Sequence, residues 1–408
     1  MAQQVKRAFK YRFHPTDEQA AELSRTFGCV RLVYNMALQA RGDAWRTEER
    51  SIGYVESSAL LTQWKRTEEL AFLTEVSSVP LQQGLRHLQK AFANFFAKRA
   101  KYPTFKSKKK SRASAEYTAS AFRYRDGRLT LAKMREPLAV VWSRPLPAGV
   151  EPTTVTASKD SAGRWHVSML CEDTVEALPA TDAVVGVDAG VTSLLTLSTG
   201  EKITNPRFER RDRERLAKAQ RQAAKKEEGS KNRAKARLKV AKVYTRIADR
   251  RRDHLHKLTT RLVRENQTIV IEDLTVRNMV KNHTLARSIS DASWTAMRSM
   301  LEYKASWYGR ELVVVDRWYP SSKLCSDCGY RAATMPLNVR EWTCGNCAMV
   351  HDRDVNAAIN LKHEGRRIAA GLAVTVCGDG ARPQRSTPAG QRSVKQKAQP
   401  AREGILSR

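Results

Sequence analysis

Two cysteine pairs, Cys325-x-x-Cys328 and Cys344-x-x-Cys347, constrain this chain more than any other feature. Each pair can fold over one metal ion as a tight knuckle, and two such knuckles read as a structural zinc ribbon with tetrahedral thiolate coordination. The surroundings of the ribbon matter as much. The second knuckle is followed by His351-Asp352-Arg353-Asp354-Val355-Asn356-Ala357-Ala358. Far upstream lie Gly186-Val187-Asp188-Ala189-Gly190 and Ile271-Glu272-Asp273-Leu274. Three acids on separate segments, one of them beside a zinc ribbon, suggest metal-dependent nuclease chemistry.

Charge narrows the partners. The 408 residues, enough for about two to four domains, carry a net charge of +31, with 73 Lys and Arg against 42 Asp and Glu. Such a field calls for a polyanion, most simply nucleic acid. Cys29, Cys171 and Cys377 have no spacing partner, so the cysteines suit a reducing compartment with one metal site rather than a disulfide framework. The start, Met1 to Arg7, lacks an apolar signal core, and no segment nears the roughly 20 apolar residues of a membrane span. A bacterial cytoplasmic, nucleoid-associated protein is expected. No GxxxxGK[ST] loop is present, which argues against ATP hydrolysis.

Periodicity gives the elements. Lys6 to Phe13 alternates basic and apolar residues and reads as a strand, and Thr16-Asp17-Glu18 starts helical periodicity that continues to about Lys101. Tyr102-Pro103 ends it, and a basic run, Lys106 to Lys110 with Arg112, follows. Strand-like pieces come next: Arg128–Leu131, Val140–Trp142, Val155–Ala157 and Trp165–Leu170. They suggest a β-rich domain that includes the first strand, with the helices inserted. Glu176 to Thr181 reads as a linker. Ala183–Asp188 and Thr268–Glu272 are short apolar strands ending in acids, and Leu312–Val315 is a third strand. Between the first two, residues 205–265 hold 22 Lys and Arg against 8 Asp and Glu, a charged hairpin broken at Gly229-Ser230 and suited to cradling nucleic acid. Ser290-Asp291 is expected to cap a helix over Ala292–Arg310, and Ala357–Leu361 to be helical. The tail reads as disordered and basic.

Phosphodiester hydrolysis needs an activated water and a sink for charge on the leaving oxygen, which two divalent cations about 4 Å apart supply. Magnesium takes carboxylates and water rather than thiolates. Neighbouring strands that end in Asp188 and Glu272 place both carboxylates at one sheet edge, and Asp354 can enter from the first turn of a packed helix. This is the logic of a ribonuclease-H-like core. Asp273 and Asp352 compete for these positions, but adjacent strand residues face opposite ways, so only one of Glu272 and Asp273 can serve. His254-Leu255-His256 matches the His-x-His metal site of single-strand transposases. It lies in a helical run, where i and i+2 diverge.

Four stretches, Gly186–Gly190, Ile271–Leu274, Tyr319–Gly329 and His351–Asn360, resemble the signatures of TnpB, insertion-sequence proteins related to type V CRISPR nucleases. The resemblance runs from the first strand to about Leu361. It implies an α/β multidomain fold, an RNase H-like (RuvC) nuclease core with an inserted zinc ribbon, plus an N-terminal β-barrel-like wedge domain carrying a helical insertion. The implied divisions are a first wedge strand (1–15), a helical recognition domain (16–102), the wedge β domain (103–181) and the nuclease domain with its basic hairpin (182–320). The zinc ribbon (321–350), a last nuclease segment (351–370) and a disordered basic tail (371–408) complete the chain. The implied activity is RNA-guided endonucleolytic cleavage of double-stranded DNA, with a transposon-end-derived guide RNA as partner. Asp188, Glu272 and Asp354 would hold Mg²⁺ as the catalytic site, and Cys325, Cys328, Cys344 and Cys347 would hold Zn²⁺. Tyr54, Ser58, Gln82 and Thr118 fall where the family reads a short DNA motif beside the target, base pairing reading the rest. A DNA transposase using the same acids, or an RNA-guided DNA-binding repressor, are the alternative readings.

Overall fold

Alternating burial makes the N-terminal segment a strand. β1 (Ala2–His14) buries Val5, Phe9, Tyr11 and Phe13 and exposes Lys6, Lys10 and Arg12. The structure is a computed structural model that describes residues 2–371 except 110, 148 and 337. Cys377, the tail beyond Gly371 and Lys110 of the basic run lie outside the described residues. Helix α1 (Asp17–Glu48) begins with a reciprocal cap: the Thr16 hydroxyl accepts from Gln19 N at 3.2 Å, and the Gln19 side chain accepts from Thr16 N at 3.1 Å. With α2 (Tyr54–Trp64) and α3 (Ser78–Phe96) it encloses Leu38, Leu61, Leu81, Leu85 and Leu88.

The chain then returns through β2 (Ala113–Thr118), β3 (Phe122–Arg125), β4 (Arg128–Leu131), β5 (Ala139–Val141), β6 (Pro152–Lys159) and β7 (Trp165–Glu176). β1 pairs antiparallel with β7 along nearly its whole length, Ala2 opposite Glu176 and Phe13 opposite Trp165. The sheet order is β2-β6-β7-β1-β5, so the three helices are an excursion between β1 and β2. Phe9, Tyr11, Phe13, Tyr117, Leu131, Val167 and Met169 form its core. Glu176, read as the start of a linker, is the last residue of β7.

A second sheet follows, from β8 (Val184–Ala189), β9 (Ser193–Leu197) and β10 (Lys202–Thr204). The helical hairpin α4 (Phe208–Ala224) and α5 (Lys231–Glu265) leads to β11 (Thr268–Glu272). Helices α6 (Val276–Met279), α7 (Ala286–Ala292) and α8 (Trp294–Tyr308) then lead to β12 (Glu311–Val315). The hairpin β13 (Glu341–Thr343) and β14 (Val350–Asp352) runs straight into α9 (Arg353–Ala369). The order is β10-β9-β8-β11-β12, with β8, β11 and β12 parallel and β9 and β10 antiparallel. The strands are apolar on both faces because helices cover both. Val185, Val187, Ile269 and Ile271 meet Leu258, Leu262, Met297 and Leu301 of α5 and α8. On the other face Val270, Val313 and Val315 meet Leu361 of α9. There the backbones nearly touch: a Cβ on Gly186 would stand 1.9 Å from Ala358 O, and one on Gly365 2.3 Å from Val270 Cγ2. No described helix is long and apolar enough to cross a membrane.

The two sheets are joined by cations. The Arg7 guanidinium lies over the Phe9 and Trp307 rings, at 5.0 and 5.5 Å, and reaches Asp173 at 3.1 Å; Arg164 reaches Asp249 of α5 at 2.6 Å. Two expectations are corrected. Ser290 and Asp291 lie inside α7, not at a cap. The next helix starts at Trp294, after Ser293 takes a left-handed φ of 56°. Asp291 instead accepts from Glu209 N at the start of α4 and from Arg251 of α5, at 3.1 and 2.5 Å. Helix α9 is also longer than the stretch Ala357–Leu361 suggests, because Asp352 caps it five residues earlier.

Gly186→Ala is expected to cost about 2–3 kcal/mol, or to leave the chain insoluble, since neither backbone at that contact can give way. A denaturant titration against Gly200→Ala, whose site is open but whose φ is +89°, separates crowding from backbone strain.

Candidate active site and metal centre

The parallel register pairs Val184 with Thr268 through to Val187 with Ile271, so the next residues, Asp188 and Glu272, stand side by side. Both point to the face that Gly186 and Val270 present to α9. Asp354 sits in the first turn of that helix. The competing acids are tied up elsewhere. Asp273 faces α8 and binds Arg298 at 2.7 Å and also Arg317. Asp352 accepts from Asp354 N and Val355 N at 3.1 and 3.0 Å, and from Lys202 Nζ at 2.5 Å. Geometry thus separates Asp188, Glu272 and Asp354 from their sequence neighbours.

Two of these acids act on the third. Burial first, then the charges of Asp354 and Glu272, push the Asp188 carboxyl up to about 7 from an ordinary 3.8, against the pull of Arg353 and Arg340. Asp188 keeps some solvent contact although protein surrounds it on nearly all sides. Burial and then Asp273 raise Glu272 as well. A purely oxygen donor set of this kind suits a hard divalent ion. Arg340, just before β13, reaches Asp354 Oδ1 at 3.5 Å. No motif in the sequence marks Arg340, since it reaches the site only through the ribbon's folding. A cavity of 370 Å³ is lined by Val187, Ile271, Trp294 and Met297, and its wall also includes Glu272 and Glu302.

The four cysteines converge. All four sulfurs lie within 4.8 Å of one another, with Cys325 to Cys347 at 3.7 Å and Cys328 to Cys344 at 3.6 Å. Tetrahedral zinc with bonds of about 2.3 Å requires sulfurs about 3.8 Å apart, so the set fits. His351 Nε2 stands 3.0 Å from Cys325 Sγ and 3.6 Å from Asp327, and its ring lies against Trp342. It can donate to the Cys325 thiolate. By contrast, His254 and His256 sit on α5 and belong to no metal-ligand group among the described residues. His254 packs on Phe208 instead.

Tyr54 and Ser58 lie one turn apart on α2, Gln82 on α3 and Thr118 at the end of β2. The Arg86 guanidinium covers the Tyr54 ring at 4.9 Å, and His87 meets Glu116 at 3.0 Å, so α2, α3 and β2 form one surface. The basic hairpin packs through Leu216, Val243 and Ile247. Arg215, Lys218, Lys239, Lys242 and Arg246 line a cleft on it that contains no carboxylate.

Comparison with known proteins gives the class first. A family model described as "Probable transposase" (OrfB of IS605) matches residues 166–283, and a Cas12f1-like TNB domain matches 294–361. A helix-turn-helix model of the OrfB group matches 1–50, a stretch that is β1 and the single helix α1 in this structure. A solved Cas12f1–sgRNA–target DNA complex aligns with a TM-score of 0.53 at 14% identity, over 85% of this chain and 83% of that one, a likeness of fold. The chain is thus an insertion-sequence OrfB protein with a Cas12f-like mixed α/β fold. A Streptomyces pristinaespiralis protein named "Putative RNA-guided DNA endonuclease" is 71% identical over 406 residues, 99% of each chain. InsQ of Escherichia coli K12, named likewise, is 33% identical over 91% of this chain and 94% of its own. The chain belongs to the TnpB family of RNA-guided DNA endonucleases.

Two outcomes are expected here. A raised Asp188 value means that its protonated form favours the metal-free fold, a contribution complete below 3.8 and lost as pH rises through about 7. Asp188→Asn should therefore stabilise metal-free protein at pH 8, by up to about 4 kcal/mol with a raised melting temperature in calorimetry, and change it little at pH 3.8. Cys344→Ser should lower zinc content and soluble yield together, because thiolate-bound zinc contributes directly to folding.

Proposed function

We propose that this chain is a transposon-encoded, RNA-guided, Mg²⁺-dependent DNA endonuclease whose catalytic residues are Asp188, Glu272 and Asp354. One observation carries the assignment: these three acids share a face and raise the Asp188 carboxyl, while Asp273 and Asp352 are neutralised by cations. The second sheet, with its parallel centre and acid-bearing last helix, is read as an RNase H-like RuvC core. The ribbon is its insertion between β12 and α9. The first sheet is read as the wedge, with α1 to α3 as its recognition insertion.

Bound magnesium supplies an activated water and charge stabilisation at the leaving oxygen. Asp188 and Glu272 hold the site from the rigid sheet, and Asp354 closes it from α9. Arg340 offsets part of the repulsion among the carboxylates. The cleft of Arg215, Lys218, Lys239, Lys242 and Arg246 takes phosphates of the guide RNA or its heteroduplex, since no carboxylate lines it and Asp212 lies 4.0 Å from Arg246 alone among the five. Tyr54, Ser58, Gln82 and Thr118 read the adjacent DNA motif, with Arg86 fixing the Tyr54 ring. The four cysteines hold structural zinc.

Asp188→Ala is expected to abolish cleavage of a guide-matched duplex, by at least about a thousandfold, while RNA and target binding persist in gel-shift assays. Equal loss of binding would remove Asp188 from the catalytic role. Cleavage that needs no RNA would favour the transposase reading. RNA affinity should fall steeply between 50 and 200 mM salt, by about a hundredfold or more for six or so neutralised phosphates. A flat response would make the hairpin a solvated surface.

A further inference from the structure

The helix that brings Asp354 to the sheet is gripped by the ribbon at three levels. β14 runs into it, and Arg353 N donates to Arg340 O, just before the facing strand, at 2.8 Å. One turn along, Asn356 is 1% exposed. Its Nδ2 donates to Leu324 O at 2.7 Å, and its Oδ1 accepts from Ser326 N at 2.9 Å. Those two residues flank Cys325. One turn further, Asn360 is 2% exposed and donates to Ser321 O and Leu324 O at 2.8 and 2.6 Å. The i, i+4 spacing puts both amides on one face of α9.

These contacts close a ring through the fold. It runs from Asp354 along α9 to the asparagines, across to the first knuckle, through the thiolate site to the second knuckle, and back along β13 and β14 to Asp352 and Asp354. His351 braces the ring internally at Cys325. The Asn356 amide satisfies backbone groups on both its atoms, and the Asn360 Nδ2 satisfies two carbonyls, so any shift of either leaves desolvated groups unpaired. Zinc bound by the four thiolates would tie the two knuckles together.

We propose that Asn356 and Asn360 are positioning residues of the nuclease site: they make the zinc ribbon a brace that sets where Asp354 stands relative to Asp188. The inference rests on the assignment of Asp354 as a metal-holding catalytic acid. Two consequences follow. Loosening the clamp weakens the hold on magnesium without touching nucleic acid. By reciprocity of linked sites, magnesium at the acids must in turn steady the zinc.

The test uses the full chain with its guide RNA. Asn356→Leu and Asn360→Leu keep the bulk of each side chain and remove its hydrogen bonds. Each should lower kcat about ten- to hundredfold, as expected for a misplaced reacting group, and raise the Mg²⁺ concentration for half-maximal cleavage. Target affinity and zinc content should stay unchanged. Wild-type kcat and Mg²⁺ requirement in both variants would overturn the proposal. The second readout needs no variant of the clamp. Zinc affinity of the unmodified complex is measured by equilibrium competition with a colorimetric chelator, with and without Mg²⁺. Asp188→Asn serves as the control for magnesium held by RNA. Tighter zinc binding with Mg²⁺, absent in the control, supports the brace; equal affinities overturn it, even if the leucine variants fail to fold. Failure of the underlying assignment looks different: Asp188→Ala would then cut normally, whatever the asparagine variants do.

Discussion

Everything at the acid site depends on how closely α9 can approach the sheet. At Gly186 the helix backbone occupies the space a Cβ would need, and at Gly365 the sheet's Val270 does the same from the other side. Helices usually stand about 10 Å from a sheet because side chains hold them off. Here two missing side chains bring the helix in, and with it an acid from its first turn. Electrostatics works against the arrangement, since three carboxylates gather around one half-buried position. Apolar packing of Val270, Val313, Val315 and Leu361 holds it closed against that repulsion.

The division between working and spent acids follows from strand geometry. Glu272 and Asp273 are neighbours in the chain and opposites in space. One faces α9; the other meets Arg298 and Arg317 on the α8 side. Asp352 and Asp354 differ by two residues, yet one turns its oxygens back on the helix amides as an N-cap and the other does not. Chemistry is thus assigned by the backbone.

Much of this was legible from residue order. Short apolar strands ending in Asp188 and Glu272, the capped helix after Thr16, the break at Gly229-Ser230 and the paired cysteines all declare themselves through local patterns. What escaped was tertiary. Asp291 looks like a cap because Ser-Asp before a helical run usually is one; only the fold shows that it serves α4 and Arg251 instead. Arg340 carries no local signal, for it reaches Asp354 through the ribbon's own folding. Asn356 and Asn360 were visible as part of a motif, but their partners lie more than 30 residues upstream in a knuckle.

The pairing of β1 with β7 has a consequence for synthesis. Phe13 waits for Trp165, and Ala2 for Glu176. At ordinary ribosomal rates that interval is about ten to thirty seconds. Throughout it, a long strand with Val5, Phe9, Tyr11 and Phe13 on one side has no partner. Its other side carries Lys6, Lys10 and Arg12, and charges of one sign along an open edge discourage pairing with another nascent chain. The basic residues on that side can thus guard the strand on polysomes, where neighbouring copies are most crowded.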